Sequence, residues 1–301
     1  MNVSSAFKTD IGHANLDFVD ICLNSDTELF IDPCLIETVN NEFCHKAKEV
    51  LVDFFDSFYG LYSTKATYNE KYQFFSHMHE INYTKLGYGN GDNGKAKTAE
   101  GMIDTFSDVE RLMDMNIDMS HAIDLPIFIE NFAEDCMSDM ITNILFEKLS
   151  EFTVEQCKKY GVKTQKISKG HYYWDLLSHS WKQYNGECWC VDGKNILLVP
   201  KCIVRKKYYY CTTQYFSSVI VERIRKEKIT YDSKGKEIVP NKKTIEEDIL
   251  KNASRREIVI EKTAENPNYL KGYHYDMEKR YNSRIMTDEE LDNVVYLKTE
   301  S

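Results

Sequence analysis

The sequence predicts an α+β fold: a small mixed or antiparallel sheet with packed helices, and a helical C-terminal part. Three observations predict it. An extended pattern broken by turn residues runs through 16–36, an apolar stripe at helical spacing runs through 138–160, and strand-like segments with a tight-turn pair fill 171–204.

In chain order, Phe18-Val19-Asp20-Ile21 leads to Asn24-Ser25-Asp26 and then to Glu28-Leu29-Phe30-Ile31-Asp32-Pro33. That order predicts a hairpin whose second strand stops at Pro33, because proline donates nothing to a ladder and keeps Asp32 extended. Val50, Leu51, Phe54, Phe55 and Phe58 place a helix over 43–58, and 68–86 suggests a second. Residues 87–94 are a glycine-rich loop. Leu125-Pro126-Ile127-Phe128-Ile129 suits a buried strand. Met140, Ile141, Ile144, Leu145, Leu149 and Phe152 make 138–160 the strongest helix of the chain. Tyr172-Tyr173-Trp174 begins a strand and 187–191 is another. Asp192-Gly193 is a tight-turn pair, and 196–204 completes that hairpin. Residues 215–228 read as a helix, 231–243 as a loop or exposed hairpin, 244–270 as short helices, and the tail from Met286 as frayed. Residues 1–228 are expected to form the main α+β domain and 229–301 a smaller, mostly helical C-terminal extension.

Of the 301 residues 42% are hydrophobic, and 20 Tyr, 15 Phe and 3 Trp supply ample apolar area, which excludes a disordered chain. With 13 Gly and 5 Pro, collagen-like and low-complexity architectures are excluded too. No apolar run approaches the roughly 20 residues of a membrane span, and residues 1–10 lack a signal-peptide pattern, so a soluble, cytoplasmic protein with no membrane partner is expected. Nine cysteines, an odd number, point to reduced thiols. Cys188-Trp189-Cys190 and His77-Met78-His79 lack a second pair at zinc-ligand spacing. The net charge of −10 is unevenly spread: residues 1–150 carry 10 Lys+Arg against 26 Asp+Glu, whereas 201–243 hold 12 basic residues and 4 acidic ones. Interleaved with Tyr208, Tyr209, Tyr210, Tyr215 and Phe216, that basic stretch suits a phosphate backbone and stacked bases; neutralisation of the acidic half is the plainer alternative.

Four constellations carry possible chemistry. Asp135-Cys136-Met137-Ser138-Asp139 stands where a strand is expected to feed a helix, and Asp139, Asn143 and Glu147 follow at four-residue spacing. Carboxylates there either cap and solvate the helix or hold Mg²⁺ or Mn²⁺. In Leu197-Leu198-Val199-Pro200-Lys201, proline interrupts an apolar strand. Lys201 and Arg205 are expected on one side of it, where cations offset developing phosphate charge. Residues 89–96 satisfy G-x-x-x-x-G-K but end in Ala96 where a P-loop needs Ser or Thr, which leaves a loop able to touch phosphate through Lys95 or Lys97. Asp32-Pro33 ends an acidic N-terminal segment, and Asp32 would join Asp135 and Asp139 as a metal ligand if the fold gathers them.

An acidic helix followed by a cation-bearing strand resembles the carboxylate-plus-lysine nucleases, although Val199 stands where those enzymes carry a carboxylate two residues before the lysine. As a set, the segments also resemble an uncharacterised bacterial protein family. The matching elements are L-F-I-D-P (29–33), the glycine-rich loop, D-x-x-S-D (135–139), L-V-P-K (198–201) and N-P-x-x-L-x-x-Y (266–273). The resemblance associates the chain with anti-phage defence. The expected function is a Mg²⁺- or Mn²⁺-dependent nuclease. Asp135, Asp139 and Lys201 would be catalytic, Asp32, Asp135 and Asp139 would bind the metal, and Lys95, Lys97, Arg205, Lys206 and Lys207 would bind nucleic acid. The alternatives are a non-catalytic regulatory or scaffold subunit with a protein partner, and a nucleotide sensor built on residues 87–97.

Overall fold

The computed structural model describes residues 1–79, 81–88, 98–168, 170–281 and 284–297. Its N-terminal segment does not close on itself as a hairpin. After α1 (Val3–Phe7), Asn2 bridges Cys22, Phe18 bridges Pro200, Thr27 bridges Leu86, and β1 (Phe30–Ile31) pairs antiparallel with Val204 and Arg205. The extended pattern was real, but its partners lie far along the chain, which local alternation does not encode. The stop at Pro33 holds. Proline takes the first position of α2 (Pro33–Thr38), where a missing N–H costs nothing, and Asp32 caps the helix by accepting from the Cys34 N–H at 2.8 Å.

The aromatic core forms next. Asn41 caps α3 (Glu42–Ser63), whose Phe54, Phe55, Phe58 and Tyr62 are buried. α4 (Tyr68–Phe75), opened by a Thr67–Glu70 capping box, ends well short of residue 86. Phe75 and Phe106 stack with centroids 5.7 Å apart, and both pack edge-on to Phe58. α5 (Ala99–Thr105) and α6 (Val109–Asp114) close this side. The strand expected at 125–129 is a single helical turn, α7 (Leu125–Phe128). A short apolar run has no decisive period, and Pro126 fits a first helical turn.

The long helix expected over 138–160 is two: α8 (Glu134–Ile144) and α9 (Phe146–Lys159), separated at Leu145. Asp139 and Asn143 therefore share a helix while Glu147 starts the next one. Asn143 spends its amide on the His79 carbonyl (2.7 Å) and the Asp139 carbonyl (2.9 Å).

The sheets are small and antiparallel among the described residues. β2 (Gln165–Lys166), β5 (Glu187–Val191) and β6 (Lys194–Ile196) form one, and β3 (His171–Asp175) pairs β4 (Ser180–Tyr184). Asp192 and Gly193 both take positive φ in the β5–β6 turn, as their identities require. Beyond Ile196 the chain turns through a 3₁₀ segment at Lys201–Ile203 before β7 (Val204–Arg205) meets β1.

The rest is mainly helical. α10 (Thr212–Tyr215) passes through a π-helical turn (Phe216–Val221) into α11 (Glu222–Glu227). An exposed hairpin of β8 (Thr230–Tyr231) and β9 (Glu237–Ile238) follows, then α12 (Lys242–Ile249), α13 (Arg255–Glu265), α14 (Asn268–Tyr281) and α15 (Asp288–Tyr296). Within the tail, where fraying is expected, residues 288–296 form α15. α15 docks on the N-terminal segment, where the buried His13 sits with Nδ1 2.6 Å from Asp292 and accepts the Asp20 N–H on Nε2 at 2.9 Å. Tyr296 donates to the buried Asp20 carboxylate at 2.5 Å. Among the described residues no helix is long and apolar enough to cross a membrane.

Candidate functional site

The β1–β7 ladder fixes the site. Ladder pairing sets Phe30 opposite Arg205 and Ile31 opposite Val204, and the Asp32 N–H donates to the Ile203 carbonyl at 2.8 Å. Asp32 and Arg205 are each 3% exposed, and Arg205 Nε lies 2.6 Å from Asp32 Oδ2. Burial pushes the Asp32 carboxyl up to about 6 against the opposing pull of Arg205 and the Cys34 N–H. The guanidinium also covers the Tyr209 ring, 4.5 Å from its centroid. Asp32 thus spends one oxygen capping α2 and the other on Arg205, which gives it a structural role at the place where a metal ligand was expected.

Asp135 and Asp139 lie where α8 begins, but what precedes them is the short α7 and a connecting segment, in place of the expected strand. Glu134 and Asp135 occupy a first turn that has no side-chain cap, so its dipole favours their negative charge. The Ser138 hydroxyl accepts the Ile31 N–H at 3.1 Å and ties α8 to β1. Tyr208 is buried nearby, its hydroxyl donating to the Ile31 carbonyl and its N–H approaching Glu134 Oε1 at 3.4 Å. Burial drives the Tyr208 phenol well above its ordinary value, and the charges of Asp32, Glu134, Asp139 and Asp135 add to that shift. The charges of the three predicted carboxylates thus all reach one phenol. On the outer side, burial and then Glu134, Glu28 and Asp135 raise Tyr88, whose ring lies 4.7 Å from Phe30.

Gly87 closes this mouth. Its φ is +132°, and a Cβ built there would come 2.8 Å from Asp135 Oδ1. Gly87→Ala is expected to cost about 1–3 kcal/mol, read as a lower denaturant midpoint, because the added methyl meets both backbone strain and a carboxylate. Lys95 and Lys97, which follow in the chain, lie outside the described residues.

Lys201 does not join the carboxylates. The 3₁₀ turn at 201–203 cancels the strand alternation expected between it and Arg205. Its ammonium sits 2.7 Å from Asp288 and donates to the His13 carbonyl at 2.6 Å. Arg205, Lys206 and Lys207 do come together: with Tyr209 and Arg284 they line a groove of about 410 Å³, walled on one side by Glu290, Asn293 and Val294 of α15. Glu134 and Tyr208 also line a larger cavity, of about 700 Å³, with Cys211, Thr212, Arg255 and Arg256. Sequence reasoning missed Glu134 and Arg284, read Glu28 only as part of an acidic segment, and read Tyr208 as a surface for stacking bases, whereas the structure buries it. Glu134 adjoins Asp135 and Tyr208 lies in the basic aromatic run, so both stood beside flagged residues, whereas nothing local marks Arg284.

The oxygen donors of Asp135, Asp139 and their neighbours suit hard divalent cations. Among the described residues, however, no group of three or more His, Cys, Asp or Glu side chains is arranged to hold a metal ion. No curated protein and no solved structure matches the chain. Residues 9–211, which include the β1–β7 ladder, the carboxylate cluster and the cationic side of the groove, match a domain of unknown function, DUF8370, and the chain belongs to that family.

Proposed function

We propose that the protein is an enzyme that acts on nucleic acid phosphodiesters with Mg²⁺ or Mn²⁺ as cofactor. Asp135 and Asp139 would hold the ion, and Glu28 and Glu134 would deepen the negative potential that attracts it. One observation carries the proposal: the six residues 204–209 serve both halves of the site. Arg205, Lys206, Lys207 and Tyr209 face the groove, while the buried Tyr208 lines a cavity with Glu134 and feels the charges of Asp32, Glu134, Asp135 and Asp139. A phosphate backbone would lie in the groove. The exposed Lys206 and Lys207 would meet its charge, the role the sequence expects of them. The family resemblance in the sequence makes phage nucleic acid the proposed substrate.

The test is cleavage of single- and double-stranded DNA and RNA with Mg²⁺ or Mn²⁺. Asp139→Ala is expected to lower the rate by about 100-fold or more at an unchanged melting temperature, since even partners outside a metal's own shell cost about 10–100-fold. Wild-type protein inactive on every substrate, or a variant as fast as wild type, overturns the proposal. A second proposal, a non-catalytic binding subunit, draws on the pairing of Lys201 with Asp288. It predicts that the protein retards nucleic acid or a basic partner protein in a gel and cleaves nothing.

A further inference from the structure

A pair of thiols stands apart from this site. Cys44 lies in the first turn of the 22-residue α3 and is fully buried, while Cys202 lies in the 3₁₀ turn after Pro200 and is half-buried. Each thiol acts on the titration of the other, and one residue binds both segments. Asn41, the cap of α3, accepts the Cys44 N–H on Oδ1 at 2.8 Å and donates from Nδ2 to Cys202 Sγ at 3.2 Å. Cys202 also lines a cavity of about 430 Å³ with Phe43, Phe152 and Pro200, rimmed by Lys201, Glu42 and Glu155. One sulfur is thus reachable from a cavity and the other is shielded behind it.

We propose that Cys202 and Cys44 are an oxidisable dithiol that reacts with a small peroxide, Cys202 as the attacking sulfur and Cys44 as the resolving one. The Cys202 thiolate attacks one peroxide oxygen. The O–O bond breaks, hydroxide leaves and takes up a proton as water, and Cys202 becomes a sulfenic acid. Cys44 loses its proton and attacks the Cys202 sulfur. An S–S bond forms and the sulfenic oxygen departs as a second water, so two thiols are oxidised by two electrons and one peroxide is reduced.

The local chemistry assigns those parts. The Cys202 thiol is pulled down to about 7, first by its hydrogen bond with Cys44 and, against burial, by Asn41 and Lys201; Cys44 is pushed up by the same hydrogen bond and by burial. The other close pair, Cys188 and Cys190, shares the Asn195 side-chain oxygen at 3.4 and 2.9 Å, and burial raises Cys188 to about 12. It serves as an internal control. This inference does not rest on the proposed phosphodiester chemistry.

The test treats full-length reduced protein with one equivalent of hydrogen peroxide at pH 7 and maps disulfides by non-reducing peptide mass spectrometry. The expected product is a Cys44–Cys202 link, with two thiols lost per peroxide. Cys202 should alkylate in the untreated protein about tenfold faster than Cys211, which burial raises. Cys44→Ser should leave a sulfenic acid at Cys202 that dimedone traps. A link elsewhere, or a Cys202 that alkylates no faster than Cys211, overturns the proposal. Because the alkylation arm uses wild-type protein, it decides the matter even if the variant fails to fold.

Discussion

Replacing Arg205 by Ala is expected to destabilise the protein by about 3–5 kcal/mol at pH 8, measured by urea unfolding, because it leaves the Asp32 carboxylate buried without its counter-ion. The penalty should depend on pH in a definite direction. Asp32 in the folded protein is pushed up from 3.8 to about 6. A carboxyl raised in this way contributes stability fully below its unfolded value of 3.8 and loses that contribution as pH rises through about 6. Removing Arg205 takes away the largest influence opposing burial, so in the variant the loss extends to still higher pH. The two proteins should therefore differ little near pH 4 and fully at pH 8. A difference that stays constant across that range would place the cost in the lost stacking on Tyr209 instead. Joint replacement, Asp32→Leu with Arg205→Met, should recover most of the loss, less the ~1 kcal/mol of the missing helix cap.

Asp20→Ala is expected to cost about 3–4 kcal/mol. Asp20 is fully buried and accepts from the Ser4 N–H at 2.7 Å, the Ser4 hydroxyl at 2.6 Å and the Tyr296 hydroxyl at 2.5 Å. Each stranded buried donor costs about 1–3 kcal/mol. Asp20→Asn keeps the volume and one acceptor, so about half the loss is expected. Hydrogen exchange separates this from a general loss of stability: amides of 288–296 should exchange faster well before those of α3. Unchanged protection of α15 would show that Tyr296 does not hold the helix in place.

What was legible in the sequence was whatever local chemistry decides. The α+β class, the aromatic stripe of α3, the stop at Pro33 and the Asp192-Gly193 turn all follow from spacing and backbone preference, and the structure has them. The misses have one physical origin, partners distant along the chain. Phe18, Thr27 and Phe30–Ile31 are extended because Pro200, Leu86, and Val204 with Arg205 pair with them, and Leu125–Phe128 is helical because Pro126 starts a turn that an apolar run alone does not announce. The same holds at the site. Asp32, Asp135 and Asp139 were flagged by type, and their charges all act on Tyr208. Lys201 was flagged by its place after Pro200, yet its ammonium answers to Asp288, 87 residues away, which no reading of 197–205 contains.

The docking of α15 sets where the molecule can be cut. The family match ends at residue 211, but His13, Asp20 and Lys201 within it are satisfied by Asp292, Tyr296 and Asp288 outside it. A recombinant fragment ending at the match would leave the His13 imidazole, the Asp20 carboxylate and the Lys201 ammonium without those neighbours, and would lose a wall of the groove. Functional assays on such a fragment would report on a damaged protein, so expression trials for this family should carry the chain through Tyr296.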